Sequence, residues 1–362
     1  MWYNITNESE IFTPAVLVYP DRIEENINRI IAIAGNVSRL RPHVKTHKLA
    51  EVVRLQVQHN IKKFKCSTLT EVMMVAENGG EDILLSYPLF GPAIKQFYDL
   101  KAKFPEVQFA VTLDARQACE ELHIEAKKRG LKLNVFIDLD NGMHRTGIDP
   151  KRAIGLADFI IGHKWLHLRG FHIYDGHIHD LDIETRKAHC DKDFEGVNQL
   201  ILELEKKGVE IEELACGGTY TFPIHAMHKS RTLCPGTPIL WDAGYEQNIP
   251  ELDFLHAAVL VSRVISKPNK YLCFDLGYKS LAAEMPHPRL KFLNLEVMEV
   301  IDHSEEHLVV STPNHDELKL GEFAYAVPQH VCPTIALHEQ VYVVHDNKVT
   351  NRWKVVARKR YY

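Results

Sequence analysis

Over its first two-thirds the chain repeats one unit: a short apolar, β-branched run, a turn, then a stretch with helical periodicity. Strands are expected at Ser38–Val44, Phe64–Ser67, Asp82–Ser86, Gln108–Thr112, Leu133–Leu139, Leu168–Tyr174, Ile211–Cys216 and Thr237–Asp242. Amphipathic stretches separate them. Ile23, Ile27, Ile30 and Ile31 share one face after Asp21, which can cap that helix. Phe194, Val197, Leu200, Ile201 and Leu204 share another within Glu184–Lys207, and Gly208 stops it. A third helix runs from Asp114 to Gly130. Strand–helix alternation of this kind dictates a parallel sheet, and eight units predict a (β/α)₈ TIM-type barrel over residues 13–244. An open doubly wound sheet is the alternative, weakened because no G-x-G-x-x-G follows the first strand.

After Gly244 the helical period fades. Apolar–polar runs at Ala257–Ile265, Tyr271–Phe274, Leu293–Val300, Leu308–Val310, Phe323–Val327 and Val341–Val344, separated by turn residues, predict a C-terminal antiparallel β domain over residues 245–362, joined by residues 1–12.

Composition narrows the function. The net charge of -5 is spread without blocks, which speaks against a nucleic-acid or anionic-membrane footprint. No apolar run is long enough to span a bilayer, and no secretory signal opens the chain. Seven scattered cysteines with no C-x-x-C pair point to a reducing compartment, the cytoplasm, rather than a disulfide framework.

Barrel chemistry sits at the C-terminal ends of strands. The first expected strand ends in Val44-Lys45 within "RPHVKTHK". The fifth runs into "DLDNGMHRTG", with Asp138, Asp140 and Arg145; the sixth ends in Tyr174 and Asp175. Glycine turns flank the last two: "CGGT" (Cys216–Thr219) and "CPGT" (Cys234–Thr237). Gly217, Gly218, Thr219, Gly236 and Thr237 can bring backbone N–H groups close to an anion and form a phosphate cradle. Each turn alone is more often only a turn; their coincidence favours the cradle. A phosphate site opposite a strand-end amine fits pyridoxal 5'-phosphate, with Lys45 at the strand mouth and Lys48 a surface charge on the following helix.

These segments, together with "FIDLDNGMHRTGI" (Phe136–Ile148), "LRGFHIYDGH" (Leu168–His177), "SEEH" (Ser304–His307) and "VPQHVCPT" (Val327–Thr334), resemble the fold-type III, alanine racemase-like pyridoxal phosphate enzymes, within them the D-threonine aldolase and D-serine dehydratase group. The resemblance spans nearly the whole chain. It implies that Lys45 forms the Schiff base, that Arg145 bonds the cofactor's phenolic oxygen, and that Tyr174 faces its pyridine nitrogen. It implies that Gly218, Thr219, Gly236 and Thr237 hold the phosphate. His330 and Cys332 would bind a divalent metal, zinc or manganese, from the β domain. It also implies a head-to-tail homodimer acting on small D-amino acids. On a strand, His330 and Cys332 would project to one face and reach one ion. Aldolases of the group can carry aspartate where this chain has Cys332, whereas the dehydratases have cysteine, so the pair leans toward dehydration. A rival metal set lies in "HIYDGHIHD" (His172, Asp175, His177, His179, Asp180), whose plainer role is to line the cavity or fill a loop.

The expected activity is therefore a lyase on D-3-hydroxy amino acids, by retro-aldol cleavage or by β-elimination of water. An amino-acid racemase on the same fold is the alternative; the C-terminal region offers it no evident partner tyrosine. A non-catalytic cofactor carrier is a third reading, which leaves the β domain's polar motifs without a purpose.

Overall fold

The computed structural model describes residues 1–360. Its contacts divide the chain into two compact units, one of residues 1–29, 46–52 and 237–358, the other chiefly of 30–45 and 53–236. The first strand, β1 (Ala15–Val18), where none was expected, lies within the span 13–244 assigned to the barrel but pairs antiparallel with β9 (Ala258–Ser266).

The second unit is a parallel sheet in chain order: β2 (Lys63–Cys66), β3 (Asp82–Leu85), β4 (Gln108–Leu113), β5 (Leu133–Leu139), β6 (Leu166–Ile173), β7 (Glu213–Cys216) and β8 (Arg231–Leu233). Helices cover its strands, and β3 is buried at every position, as parallel strands closed on both faces require. Leu84, Ala110, Phe136, Ala215 and Cys234 form one inner cluster.

Seven strands stand where eight were expected. Ser38–Val44 is not a strand; it contributes isolated parallel bridges, Leu40 to Leu233 and His43 to Lys65. Pro42 interrupts the ladder, because a proline has no N–H to donate. Thr237–Asp242 is also not a strand. Thr237–Ile239 is a 3₁₀ turn, and a short helix, Ala243–Asn248, follows with Asp242 as its cap. The last parallel strand, Arg231–Leu233, lies in a segment for which no strand was expected. The long helix expected over Glu184–Lys207 breaks at Phe194 into Ile183–Asp193 and Glu195–Lys206.

Beneath the inner cluster lies a buried ion cage. Arg41, 0% exposed, donates from Nε and Nη2 to the two oxygens of Glu213, each at 2.8 Å, and from Nη1 to Asp82 at 3.0 Å. Arg169 Nη2 reaches the same pair, at 2.5 Å from Asp82 and 2.9 Å from Glu213. Asp82 and Glu213 are the first residues of β3 and β7, so the cage ties together strands from across the sheet.

The first unit is a nine-stranded sheet of β1, β9, β10 (Tyr271–Phe274), β11 (Leu290–Phe292), β12 (Glu299–His303), β13 (Leu308–Ser311), β14 (Phe323–Pro328), β15 (Gln340–His345) and β16 (Lys348–Lys354). It is mixed rather than antiparallel, because β1 runs parallel to β15. Tyr3, Ile5, Ile11, Tyr19 and Tyr325 pack with the strand interior, which accounts for the N-terminal residues joining this sheet. "SEEH" is the tight turn between β12 and β13: Ser304 N–H donates to His307 O, and Glu305 and Glu306 pair with Lys279.

Candidate active site

The ends of β2, β5 and β6 enclose a cavity of about 410 Å³. Lys45, Lys65, Arg145, His172 and Tyr174 line it, with His43, Thr146 and residues Ser86–Pro88. Three cations and no carboxylate face this space, so its chemistry fits an anionic guest.

Lys45 lies in a 3₁₀ turn, Val44–Thr46. Its N–H donates to His43 Nδ1 at 3.3 Å, and its Nζ stands 5.7 Å from the Tyr174 ring centre. Arg145 places its guanidinium carbon 4.9 Å from the same centre. Lys48, expected on a helix, precedes the helix Ala50–Gln58 and has a φ of 54°, so it belongs to the turn.

Lys65 was missed. In "KKFKC" it reads as a solvated charge, yet it is 2% exposed and its Nζ lies 3.3 Å from His172 Nε2. His172 Nδ1–H donates to Asp138 at 2.6 Å, which leaves Nε2 as an acceptor for the lysine. Thr146 donates to the other Asp138 oxygen at 2.8 Å. Burial, then the Lys65 charge, hold His172 below its usual value and keep it neutral, against the pull of Asp138. Asp138 is itself held low: burial pushes it up, and His172 and Thr146 outweigh that. Replacing Lys65 with Met is therefore expected to raise the His172 titration midpoint, followed by NMR of the ring protons. An unmoved midpoint would show that the ammonium does not act on the ring.

The glycine turn after β7 is built from below. Asp175, 1% exposed, accepts from Thr221 Oγ1 at 2.7 Å and from His225 Nε2–H at 2.7 Å. Thr221 Oγ1 in turn accepts from Gly218 N–H at 3.3 Å, and Gly217 N–H donates to Ile173 O. Gly217 has a φ of +74°, and a Cβ there would fall 2.5 Å from His225. A Cβ on Gly218 would meet the Tyr174 ring at 3.0 Å. Gly218 and Thr219 thus sit in a turn where backbone can approach a ligand closely. Gly236 and Thr237 follow β8, Thr237 opening the 3₁₀ turn.

His330 and Cys332 are not on a strand. His330 caps the helix Val331–Leu337, and Pro333 occupies its first turn, where a missing N–H costs nothing. The two side chains still meet. Burial pushes His330 down, but its hydrogen bond to Cys332, together with Asp242 and Glu284, lifts it to about 9. Burial pushes Cys332 up, but His330 and Thr46 bring the thiol below its usual value. His330 Nδ1–H donates to Glu284 at 2.6 Å, and Cys332 Sγ lies 3.3 Å from Thr46 Oγ1 and 3.5 Å from Thr237 Oγ1. Asp242 orients the segment by accepting from Val331 N–H at 3.0 Å. A cysteine sulfur beside an imidazole is the donor set of a zinc-type ion, so the pair fits a metal.

Of the rival set, His172 lines the cavity and Asp175 supports the glycine turn, while His177, His179 and Asp180 lie outside the cavity lining. Asp175, Cys190 and His225 do converge. Arg231 donates to His225 Nδ1 at 2.9 Å, so Nε2 carries the proton given to Asp175, and burial pushes the Cys190 thiol far up. Both nitrogens of the His225 ring are therefore engaged, and it offers no lone pair to an ion.

A family model described as alanine racemase, N-terminal domain, matches residues 18–240, and one described as putative serine dehydratase domain matches residues 257–344. The 3-hydroxy-D-aspartate aldolase of Paracoccus denitrificans (strain Pd 1222) is 28% identical over 98% of this chain and 94% of its own. The D-serine dehydratase of Dictyostelium discoideum is 23% identical over 94% and 96%. The crystal structure of D-threonine aldolase from Filomicrobium marinum superposes with a TM-score of 0.86 at 24% identity, covering 98% of each chain.

Proposed function

The chain belongs to the alanine racemase N-terminal-domain family, and on that premise we propose that it is a pyridoxal phosphate- and metal-dependent lyase acting on D-3-hydroxy amino acids. The observation that carries this reading is the cation-lined cavity with Lys45 at its wall. The relatives named above divide between aldol cleavage and dehydration, and both reactions begin on a D-amino acid with a hydroxyl at Cβ. The racemase alternative finds no support in the names of these relatives.

Bound pyridoxal phosphate supplies an electron sink for the pair left at Cα. The chain's own residues do the rest. Lys45 would hold the cofactor covalently and, when free, would be the amine that takes the α-proton in the elimination of water. Arg145 supplies a fixed positive charge toward the phenolic oxygen. Tyr174 offers the ring nitrogen a neutral partner, which tempers the sink. Gly218, Thr219, Gly236 and Thr237 give backbone and hydroxyl donors to the phosphate. The Lys65–His172–Asp138–Thr146 chain fixes the cavity floor and holds a buried positive charge there. His330 and Cys332 would hold a divalent ion, which would supply Lewis acidity. Zinc suits imidazole plus thiolate better than manganese does.

The finer readings are an eight-position barrel, with residues 40–43 as its eighth segment, a head-to-tail homodimer and a cytoplasmic site of action. The bridges of Leu40 and His43 support the first, and seven unpaired cysteines support the last. No helix among the described residues is long and apolar enough to cross a membrane.

Chelation tests the metal's part. Turnover of D-serine and D-threonine should fall by about 10²-fold or more on exhaustive chelation and return with zinc. Cys332→Ser should reproduce the loss. Full turnover in the chelated protein would remove the metal from the reaction.

A further inference from the structure

A second group of side chains converges away from the cavity lining, in the loop after β6 and on the helix Ile183–Asp193. His189 and Asp193 stand four residues apart on that helix, so they share a face, and His177 reaches them from the loop. His177 Nε2 lies 2.7 Å and His189 Nε2 3.5 Å from the same oxygen, Asp193 Oδ2.

The arrangement is oriented from outside. Asp180 Oδ2 lies 2.9 Å from His189 Nδ1. A carboxylate only accepts, so Nδ1 carries the proton. Neutral His189 then turns the Nε2 lone pair toward another carboxylate oxygen. Two electron-rich atoms face each other at 3.5 Å, a gap that a positive charge would bridge favourably. A proton on Nε2 is one solution and a metal ion is the other. The His189 spacing suits the ion, since with bonds of ~2.0–2.1 Å adjacent ligands around a tetrahedral ion stand roughly 3.3–3.4 Å apart; His177 Nε2, now at hydrogen-bond distance from the same oxygen, must draw back by roughly 0.6 Å to ligate. A carboxylate behind the ligating histidine is the arrangement that fixes the tautomer of metal-bound imidazoles.

Two further observations point the same way. His177 Nδ1 is buried without a hydrogen-bond partner, so the ring's orientation is set entirely from its Nε2 side. Gly142, with a φ of +131°, closes over the group, and a Cβ there would fall 2.5 Å from His177 Nε2 and 3.0 Å from Asp193 Oδ2. The ligand side chains remain 18 to 39% exposed, which leaves an approach for the ion and room for a water as fourth ligand. The contrast with Asp175–Cys190–His225 is direct, because there both nitrogens of the histidine ring are already engaged.

We propose that His177, His189 and Asp193, oriented by Asp180, form a second divalent-metal site of zinc type. An ion there ties the loop that carries Tyr174 and Asp175 to the helix Ile183–Asp193. The proposal is independent of the reaction assigned to the cavity.

Metal content tests it with zinc alone as the probe. The full-length His330→Ala/Cys332→Ser protein, loaded with zinc and dialysed, should retain one zinc per chain. Adding His189→Gln should reduce this to none, with the circular dichroism spectrum unchanged. Asp193→Asn, which keeps shape and removes charge, should do the same, and Asp180→Asn should weaken zinc binding by about 10- to 100-fold. Cobalt substituted into the double variant should show ligand-field bands without a thiolate charge-transfer band. The proposal is overturned if the double variant retains no zinc, if His189→Gln and Asp193→Asn leave its content unchanged, or if the cobalt spectrum shows thiolate ligation.

Discussion

Lys45→Ala should lower turnover by at least ~10³-fold and abolish covalent attachment of the cofactor, even though a second buried lysine lines the same cavity. Borohydride reduction of the wild-type protein, followed by peptide mapping, should place the label on Lys45. In the variant no label should transfer to Lys65, because its Nζ is engaged by His172 and that ring is fixed by Asp138. The two lysines therefore hold different posts. Label on Lys65 in the wild type would reverse the assignment, and label on Lys48 would move it to the turn beyond.

Arg41→Met should cost about 3–5 kcal/mol of folding stability, measured by urea unfolding. The guanidinium makes three of the cage's charge-assisted bonds with no exposure to water. Without it, Asp82 and Glu213 share only Arg169. A loss under about 1 kcal/mol would show that the cage relaxes freely. The pH dependence follows from the carboxylates. Burial pushes Asp82 and Glu213 upward, but Arg41 and Arg169 outweigh it and hold both below their ordinary values. Folded values below unfolded ones mean that the cage stabilises fully above the unfolded carboxylate range. That contribution disappears as pH falls through the depressed folded values. The stability gap between wild type and Arg41→Met should therefore narrow below about pH 4.

What the sequence reveals depends on how strongly each feature is written locally. Six of the seven parallel strands are readable because each carries buried apolar residues in a short run bounded by turns. Arg231–Leu233 is three residues long and opens on an arginine and a threonine, so no run marks it. Thr237–Asp242 misleads in the opposite direction: a short apolar run carries no period that separates strand from turn. The site divides in the same way. Lys45, Arg145 and Tyr174 follow from strand ends and meet around one cavity. Lys65 hides among neighbouring lysines in a strand whose other residues give no sign of a cavity. A signal did exist for its partners, since Asp138 and His172 lie at matching positions of adjacent strands. His330 and Cys332 lie on a different element from the strand expected: a helix begins at Val331, and the two side chains meet across its first turn.

The most direct test of the account is product analysis on D-3-hydroxyaspartate, D-threonine and D-serine, with and without added zinc. Zinc-dependent formation of glycine and an aldehyde, or of a 2-oxo acid and ammonia, from at least one D-substrate and from none of the L-enantiomers is the predicted result. Exchange of the α-proton that interconverts the enantiomers, with no bond at Cβ broken in any of the three, would contradict it.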